Sequence, residues 1–289
     1  MSYFHLNLIL KGKLTVCCLL MLPAIPLNAQ REAKQIGDFK ESISLNEHLR
    51  GTKRTLQYRP DGDEFVCVNG KNRYTRALYG SHSPFRVETS DRPVFAFYNN
   101  GRGGNISFKV ILRDGTELAL DCTGHCESRY SAGKRTYYLT DPSWGKGELR
   151  ISVLALADMD GAIWRFSPSN MPKGAILRWQ HGGATGKRLS RNGDMGVDPA
   201  DCFELPVEAT DLVTGELPLQ KEVYLVRGEV PEDYNVRKLY QQAEAASLAL
   251  ASHLKIETPD PYLNTLGGAL VAAADGIWDG QVWLHGAIG

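Results

Sequence analysis

Apolar and polar side chains alternate along the middle of the chain with the period of two that is typical of β-strands. The segment at residues 106–112 alternates in this way, Arg-Asp-Gly follows at 113–115, and a second short run returns at 117–120. Because Asp-Gly favours a tight turn between two strands, these segments are predicted to form a β-hairpin.

The same pattern recurs across residues 55–230, where turn residues separate short runs of strand-forming side chains. Further strands are predicted at residues 94–98, 135–140, 149–157, 162–166, 175–180 and 222–230, with a turn at 158–161. Closely spaced strands without helical periodicity indicate an antiparallel sandwich. We therefore predict a mainly β fold with a large antiparallel β-sandwich domain at residues 55–230.

The pattern changes to helical spacing at Pro231. Apolar side chains then recur at intervals of three and four, which predicts a connector helix within residues 231–256 that begins at Pro231 and the acids after it. A second helix is predicted to begin at Asp260-Pro261, with the aspartate as N-cap. Its apolar stripe comprises Leu263, Leu266, Leu270 and Ala273. A single helix cannot bury such a stripe, so we expect self-association through it if it stays uncovered.

The first 29 residues are predicted to be a secretory signal peptide. Lys11 and Lys13 precede an apolar run at residues 14–22, and the small Ala29 precedes the expected cleavage site. The run is short for a bilayer span, and an uncleaved anchor is the alternative. We therefore expect export to the periplasm or beyond, no membrane span after signal removal, and a lead-in segment at residues 30–54.

The charge balance argues against a nucleic-acid partner. The chain has 33 basic and 33 acidic residues and a formal net charge of zero, without the basic stripe of a nucleic-acid-binding protein. The segment at residues 181–187 (His-Gly-Gly-Ala-Thr-Gly-Lys) lacks the first glycine and the final Ser or Thr of a phosphate-binding loop, so it is predicted to be a β-turn. We expect no cofactor.

Four cysteines follow the predicted signal peptide: Cys67, Cys122, Cys126 and Cys202. Cys122 and Cys126 flank His125 at a spacing that zinc ligands can use, but a structural zinc site needs a second ligand pair, and none follows. We therefore predict no metal site. The cysteines could form disulfides or remain free thiols, because spacing does not determine connectivity.

The order of the predicted parts resembles the N-terminal half of bacterial six-hairpin glycosidases. These parts are an exported sandwich, a connector helix and a helix start at residues 258–264 (Thr-Pro-Asp-Pro-Tyr-Leu-Asn) with a tryptophan-rich loop behind it. In addition, the segments at residues 72–80, 92–94 and 100–104 are similar to DUF4450, a family of uncharacterised secreted proteins from polysaccharide-degrading bacteria. The resemblance implies that residues 257–289 begin an incomplete (α/α)6 barrel.

This resemblance implies a role in polysaccharide breakdown, with a poly- or oligosaccharide as partner. Glycoside hydrolysis ordinarily needs two carboxyl groups, and in six-hairpin enzymes these lie well inside the barrel. We therefore assign no catalytic residue and expect the chain to be the N-terminal fragment of a secreted glycoside-hydrolase-like protein, as its apolar ending at residues 276–289 also suggests. A stand-alone carbohydrate-binding sandwich without catalysis is the alternative, and a structural or adhesive surface protein is a third possibility.

The loop after the second helix holds the predicted sugar-binding residues. These are Trp278, Asp279, Trp283 and His285. Indole rings stack on the apolar faces of pyranose rings, and Asp and His side chains hydrogen-bond hydroxyl groups. The alternative is that the two tryptophans pack between helices and that His285 is a hydrogen-bonded core residue.

A second candidate surface is predicted from Arg73, Tyr74, Arg76 and Tyr79. Strand alternation would place Tyr74 and Arg76 on one face, with Arg73 on the other. Arginine beside tyrosine could line a groove for an acidic sugar, or the arginines could pack on the tyrosine rings through cation–π contacts.

Overall fold

The computed structural model describes residues 57–283, apart from 81, 84, 100–101, 189–211 and 279, and only the backbone of 99, 102–103 and 183–188. The predicted signal peptide and lead-in, residues 1–54, lie outside the described residues. Within the described part, no helix is both long and apolar enough to cross a membrane.

The first of two antiparallel sheets contains seven strands in the described part of the chain. They are Arg59–Asp61 (β1), Glu64–Val68 (β2), His125–Ser131 (β8), Lys134–Thr140 (β9), Glu148–Ala155 (β10), Gly161–Ser169 (β11) and Val223–Gly228 (β14). Their order across the sheet is β1-β2-β8-β9-β10-β11-β14. Most neighbours in this sheet are consecutive in sequence, as in a meander of hairpins.

The second sheet also contains seven described strands. They are Arg76–Leu78 (β3), Arg86–Thr89 (β4), Phe95–Asn99 (β5), Arg102–Ile111 (β6), Glu117–Ala119 (β7), Ile176–Arg188 (β12) and Val213–Pro218 (β13). The order is β13-β12-β6-β5-β4-β3, and β7 pairs with β6 outside this path. The predicted β-turn at residues 181–187 is wrong, because His181 and Gly182 continue β12 and pair with Ile106 and Asn105 of β6.

Aromatic side chains from both sheets fill the space between them. Phe95 of the second sheet lies 5.7 Å from both Tyr137 and Trp164 of the first, measured between ring centroids. Phe108 and Phe166 meet across the same interface at 5.2 Å. All five side chains are buried. The two sheets therefore pack face to face, and the predicted mainly β sandwich is confirmed.

Two helices follow the sandwich, Val236–Ala251 (α1) and Pro261–Gly276 (α2). The predicted start of α1 at Pro231 is wrong. Asn235 is extended, and its side chain accepts a hydrogen bond from the backbone amide of Lys238 at 3.0 Å, so it is the N-cap. The helix can therefore begin only after Asn235, and the preceding proline and acids lie outside it.

The start of α2 is confirmed. Asp260 Oδ1 accepts a hydrogen bond from the Tyr262 amide at 2.8 Å, and Pro261 occupies the first turn. Asn264 then closes the motif, because its side chain accepts from the Thr258 amide at 2.7 Å and donates to the Thr258 carbonyl at 2.9 Å. The polar residues of this segment therefore fix the helix start.

Small residues form the buried face of α2, and Leu266 is the member of the predicted stripe that packs against the sandwich core. Thr265, Gly267 and Ala272 are buried, whereas Leu263 and Leu270 remain 37% and 46% exposed. Close approach explains the difference, since a Cβ on Gly267 would come within 2.8 Å of the Leu254 carbonyl oxygen. The stripe is therefore only partly covered, and self-association through it stays a prediction.

Candidate functional site

The end of α2 places a tryptophan-rich loop beside the sandwich. Gly276, the last residue of the helix, contacts the ring of Tyr79 so closely that a Cβ there would overlap the ring. One residue earlier, Asp275 Oδ1 lies 3.3 Å from His82 Nε2. These two contacts hold the C-terminal end of α2 against the chain that follows β3.

The loop itself is closed by its two tryptophans. The Trp278 amide donates to the Asp275 carbonyl at 3.1 Å, and Trp278 and Trp283 form an antiparallel β-bridge. Gly280 supplies the turn with a φ of +97°, which a residue with a side chain rarely adopts. The indole centroids lie 4.7 Å apart, with the ring planes inclined at 51°.

The two tryptophans differ in exposure. Trp278 is half-buried, whereas Trp283 is 67% exposed and its neighbour Val282 is 55% exposed. The alternative that both tryptophans pack between helices therefore does not describe Trp283. Asp279 and His285, the two other predicted sugar-binding residues, lie outside the described residues. The structure brings together the two indoles of the predicted site.

A cavity of about 510 Å³ lies between the sandwich and the helices, and we call it the junction cavity. Its walls come from β3 and the chain after it, from the β8–β9 turn, and from facing sides of α1 and α2; they include Arg76, Tyr79, Tyr130, Ala243, Leu266 and Asp275. Burial raises the pKa of Tyr79 to about 12.

The four residues of the second predicted surface do not share one groove. Arg76 and Tyr79 line the junction cavity, whereas Arg73 lines a different cleft. Tyr74 has a φ of +52°, so the chain turns there and the predicted strand alternation across residues 73–76 is wrong. The Arg76 guanidinium lies 5.6 Å from the ring of Tyr130, and that of Arg73 lies 5.2 Å from Tyr74. Both arginines make cation–π contacts, but Arg76 packs on a tyrosine outside the predicted set.

The cleft that contains Arg73 has a volume of about 590 Å³, and we call it the basic cleft. It opens on the outer face of the second sheet, between β6, the start of β5 and the loop at residues 71–73. Its charged residues are Lys71, Arg73, Arg92, Lys109 and Asp121, and its uncharged polar residues are Asn72, Ser90, Asn105, Ser107 and Gln180. Four cationic side chains thus face a single carboxylate among its described walls.

A buried polar cluster holds the chain behind the basic cleft. Asp91 is fully buried, accepts hydrogen bonds from the Tyr58 hydroxyl and from the Asn72 amide at 2.9 Å, and lies 3.6 Å from the guanidinium of Arg135. Arg135 is also fully buried and donates to Ser128 Oγ at 2.9 Å. The cluster ties residue 72 of the cleft wall to the first sheet.

Glu88 of β4 is a buried carboxyl group whose pKa is raised by burial, an effect that the ion pair with Arg86 opposes. The two side chains meet at 2.6 Å and are almost fully enclosed. A raised carboxyl pKa is a mark of a general acid. Glu88 nevertheless lines neither the junction cavity nor the basic cleft, so its burial gives no reason to assign it a catalytic role.

The three described cysteines, Cys67, Cys122 and Cys126, are free thiols, and Cys202 lies outside the described residues. Cys67 and Cys126 are buried in the sandwich, and burial raises the pKa of Cys126 to about 12. Among the described residues, no three His, Cys, Asp or Glu side chains converge as they would around a metal ion.

Comparison with known proteins gives one family match. The model of a family described as Domain of unknown function (DUF4450) matches residues 100–230, the part of the sandwich from the start of β6 to just beyond β14. The match supports the family named from the sequence and assigns no activity. No curated protein matches the chain.

Proposed function

We propose that this chain is the glycan-binding N-terminal part of a secreted glycoside-hydrolase-like protein, and that Trp278 and Trp283 form its sugar platform. The exposed Trp283 ring, backed by Trp278 at a centroid distance of 4.7 Å, is the observation that carries the proposal. Trp283 and the adjacent Val282 together expose apolar surface, and contiguous exposed apolar surface marks binding sites.

The chemistry of the pair suits a pyranose ring. The C–H groups on one face of a sugar can lie against an indole ring, while its hydroxyl groups stay in water or bind polar neighbours. Trp283 is held by the bridge to Trp278 and by the turn at Gly280, so little conformational entropy is lost when a ligand docks. Asp279 and His285 remain part of the proposed site as hydrogen-bonding groups.

The proposed role is binding rather than bond cleavage. A retaining or inverting mechanism needs two carboxyl groups on opposite sides of the scissile bond, and we assign none in this chain. Within a larger protein, the pair would present a polysaccharide to a catalytic (α/α)6 barrel that begins with α2. Export by the signal peptide at residues 1–29 would bring the protein to such substrates.

The test is a binding titration of the whole chain with neutral oligosaccharides, namely cello-, xylo-, manno- and galacto-oligosaccharides. We expect at least one of them to bind and to change the tryptophan fluorescence. Its affinity for Trp283→Ala should be lower than its affinity for the wild type by about tenfold or more, because the variant lacks a central aromatic contact. Leu248→Ala is the matched control, since Leu248 is 59% exposed on α1. Equal affinity of wild type and Trp283→Ala, or no binding of any member of the panel, would contradict the proposal.

A further inference from the structure

We propose that the basic cleft is a second binding site, and that it takes an oligosaccharide carrying carboxylate or sulfate groups. Lys71, Arg73, Arg92 and Lys109 face it together with one acidic side chain, Asp121. A cleft lined by charges of one sign concentrates counter-ions and favours a ligand of the opposite sign. The chain as a whole has a formal net charge of zero, so this excess of positive charge is local.

Arg92 is the fixed cation of the cleft. Its Nη1 donates to the carbonyl oxygens of Asp121 and Thr123 at 3.0 and 2.8 Å, and its Nη2 donates to Asn69 Oδ1 at 3.4 Å. These acceptors are neutral, and among the described residues no carboxylate lies within ion-pair distance of Arg92. The guanidinium is thus held in place by neutral acceptors, and no described carboxylate forms an ion pair with it.

Lys71 and Lys109 are two exposed cations of the lining. Lys71 is exposed and makes no ion pair with a described residue. Lys109 lies 3.5 Å from Glu117, whose carboxylate also binds Arg178 at 2.9 Å. Because Glu117 is shared by two cations, it compensates the charge of Lys109 only in part.

The wall of the cleft is already formed without a ligand. The Asn72 amide donates to the buried Asp91, and the Tyr74 amide donates to Ser90 Oγ at 2.9 Å, which fixes the turn that presents Lys71 and Arg73. On β6 and β12, Ser107 and Gln180 are direct cross-strand partners and both line the cleft. A preformed site avoids the entropy cost of ordering a loop on binding.

The lining favours charge and hydrogen bonding over ring stacking. Its one aromatic residue among the described positions, Phe108, is 2% exposed and belongs to the sandwich core. Ser107, Gln180 and Asn72 can bind hydroxyl groups, and arginine and lysine can bind carboxylate or sulfate. The cleft therefore differs in chemistry from the tryptophan pair, which suits neutral sugar faces.

The experiment measures binding of the whole chain to oligogalacturonate and to the same oligomer with its carboxylates methyl-esterified. Alginate and hyaluronan oligomers provide further uronate ligands, and oligomers of a sulfated galactan without carboxylates, compared with their desulfated form, test sulfate as the charged group. We expect at least one charged ligand to bind, its neutralised form to bind about tenfold or more weakly, and the affinity to fall as salt is raised from 50 to about 300 mM. If the uronate ligands bind more tightly than their neutral form, the cleft recognises carboxylate, and if the sulfated ligand binds more tightly than its desulfated form, the cleft recognises sulfate.

Variants locate the site. Lys71→Gln and Lys109→Gln, separately and together, should lower the affinity for the charged ligand by about tenfold for each charged hydrogen bond that is lost. The thermal midpoint of unfolding should not change, because both side chains are exposed. Lys146→Gln removes an equally exposed lysine outside the cleft and should change nothing. Full affinity in the double variant, equal binding of charged and neutralised ligands, or no binding of any charged ligand would overturn the assignment. Trp283→Ala leaves this cleft intact, so the two proposed sites are tested independently of each other.

Discussion

At the scale of single residues, buried polar groups hold the two sheets and the cleft wall together. Asp91 and Arg135 are both fully buried, and the Asp91 carboxylate also accepts hydrogen bonds from Tyr58 and from the amide of residue 72. A buried charge keeps its place only while its partners remain, because an unpaired ion in a protein interior is strongly unfavourable. This cluster was not predicted, since Asp91 and Arg135 are 44 positions apart in the sequence.

Asp91→Ala should therefore lower the free energy of unfolding by about 3–5 kcal/mol, because it leaves the Arg135 guanidinium buried without its carboxylate. Guanidinium chloride unfolding measures the change. The double variant Asp91→Leu/Arg135→Met should recover part of the loss, since it removes both charges. Glu257→Ala removes half of an ion pair at the surface and should leave the unfolding midpoint unchanged. A loss in Asp91→Ala below about 1 kcal/mol would show that the pair is not a structural unit.

At the scale of elements, small residues position α2 and therefore the tryptophan loop behind it. Gly267 faces the Leu254 carbonyl, Gly268 lies against Ala132 and Ala251, and Gly276 lies against the ring of Tyr79. The sequence predicted that the stripe of Leu263, Leu266, Leu270 and Ala273 would find no partner within the chain, and only Leu266 of these packs against the sandwich core. Here the backbone comes so close to its neighbours that glycine and alanine occupy the contact.

Gly267→Ala tests this close contact, because the contact determines whether the variant is more or less stable than the wild type. In a helix free of contacts, alanine in place of glycine stabilises by about 0.5–1 kcal/mol. At position 267 the added Cβ would meet the Leu254 carbonyl at 2.8 Å, so we expect a loss of stability and faster hydrogen exchange of the α2 amides. The control is Ala274→Gly on the exposed side of α2, which should cost about 0.5–1 kcal/mol through helix propensity alone. Stabilisation by Gly267→Ala would contradict the packing of α2 described above.

At the scale of the whole molecule, the sequence predicted the architecture well and the surfaces less well. Alternation and turn residues predicted the sandwich because both are local signals, and the two tryptophans of the proposed site are close in sequence. The basic cleft combines residues from 71 to 180, which no local pattern connects. The prediction of one groove lined by Arg73 and Arg76 was wrong, because the chain turns between them at Tyr74, which has a positive φ.

The whole molecule should also lose stability at alkaline pH. Burial raises the pKa of Cys126, Tyr79 and Tyr240 to about 12, from ordinary values of 9.0 for the thiol and 10.0 for the phenols. The folded protein then keeps protons that the unfolded chain releases, so the free energy of unfolding falls as the pH rises from about 9 towards 12. Urea midpoints at pH 8, 9, 10 and 11 should decrease in order, and Tyr240→Phe should reduce the decrease. A midpoint that stays constant between pH 8 and 11 would contradict the burial of these groups.

The central claim is that a sugar docks on Trp278 and Trp283, and NMR of the five indole N–H groups tests it most directly. Trp144, Trp164 and Trp179 are buried in the sandwich core and serve as internal controls. We expect a bound neutral oligosaccharide to shift the signals of Trp278 and Trp283, assigned with Trp283→Phe, and to leave the other three in place. Shifts confined to the three core tryptophans, or no shift with any neutral oligosaccharide of the panel, would contradict the account.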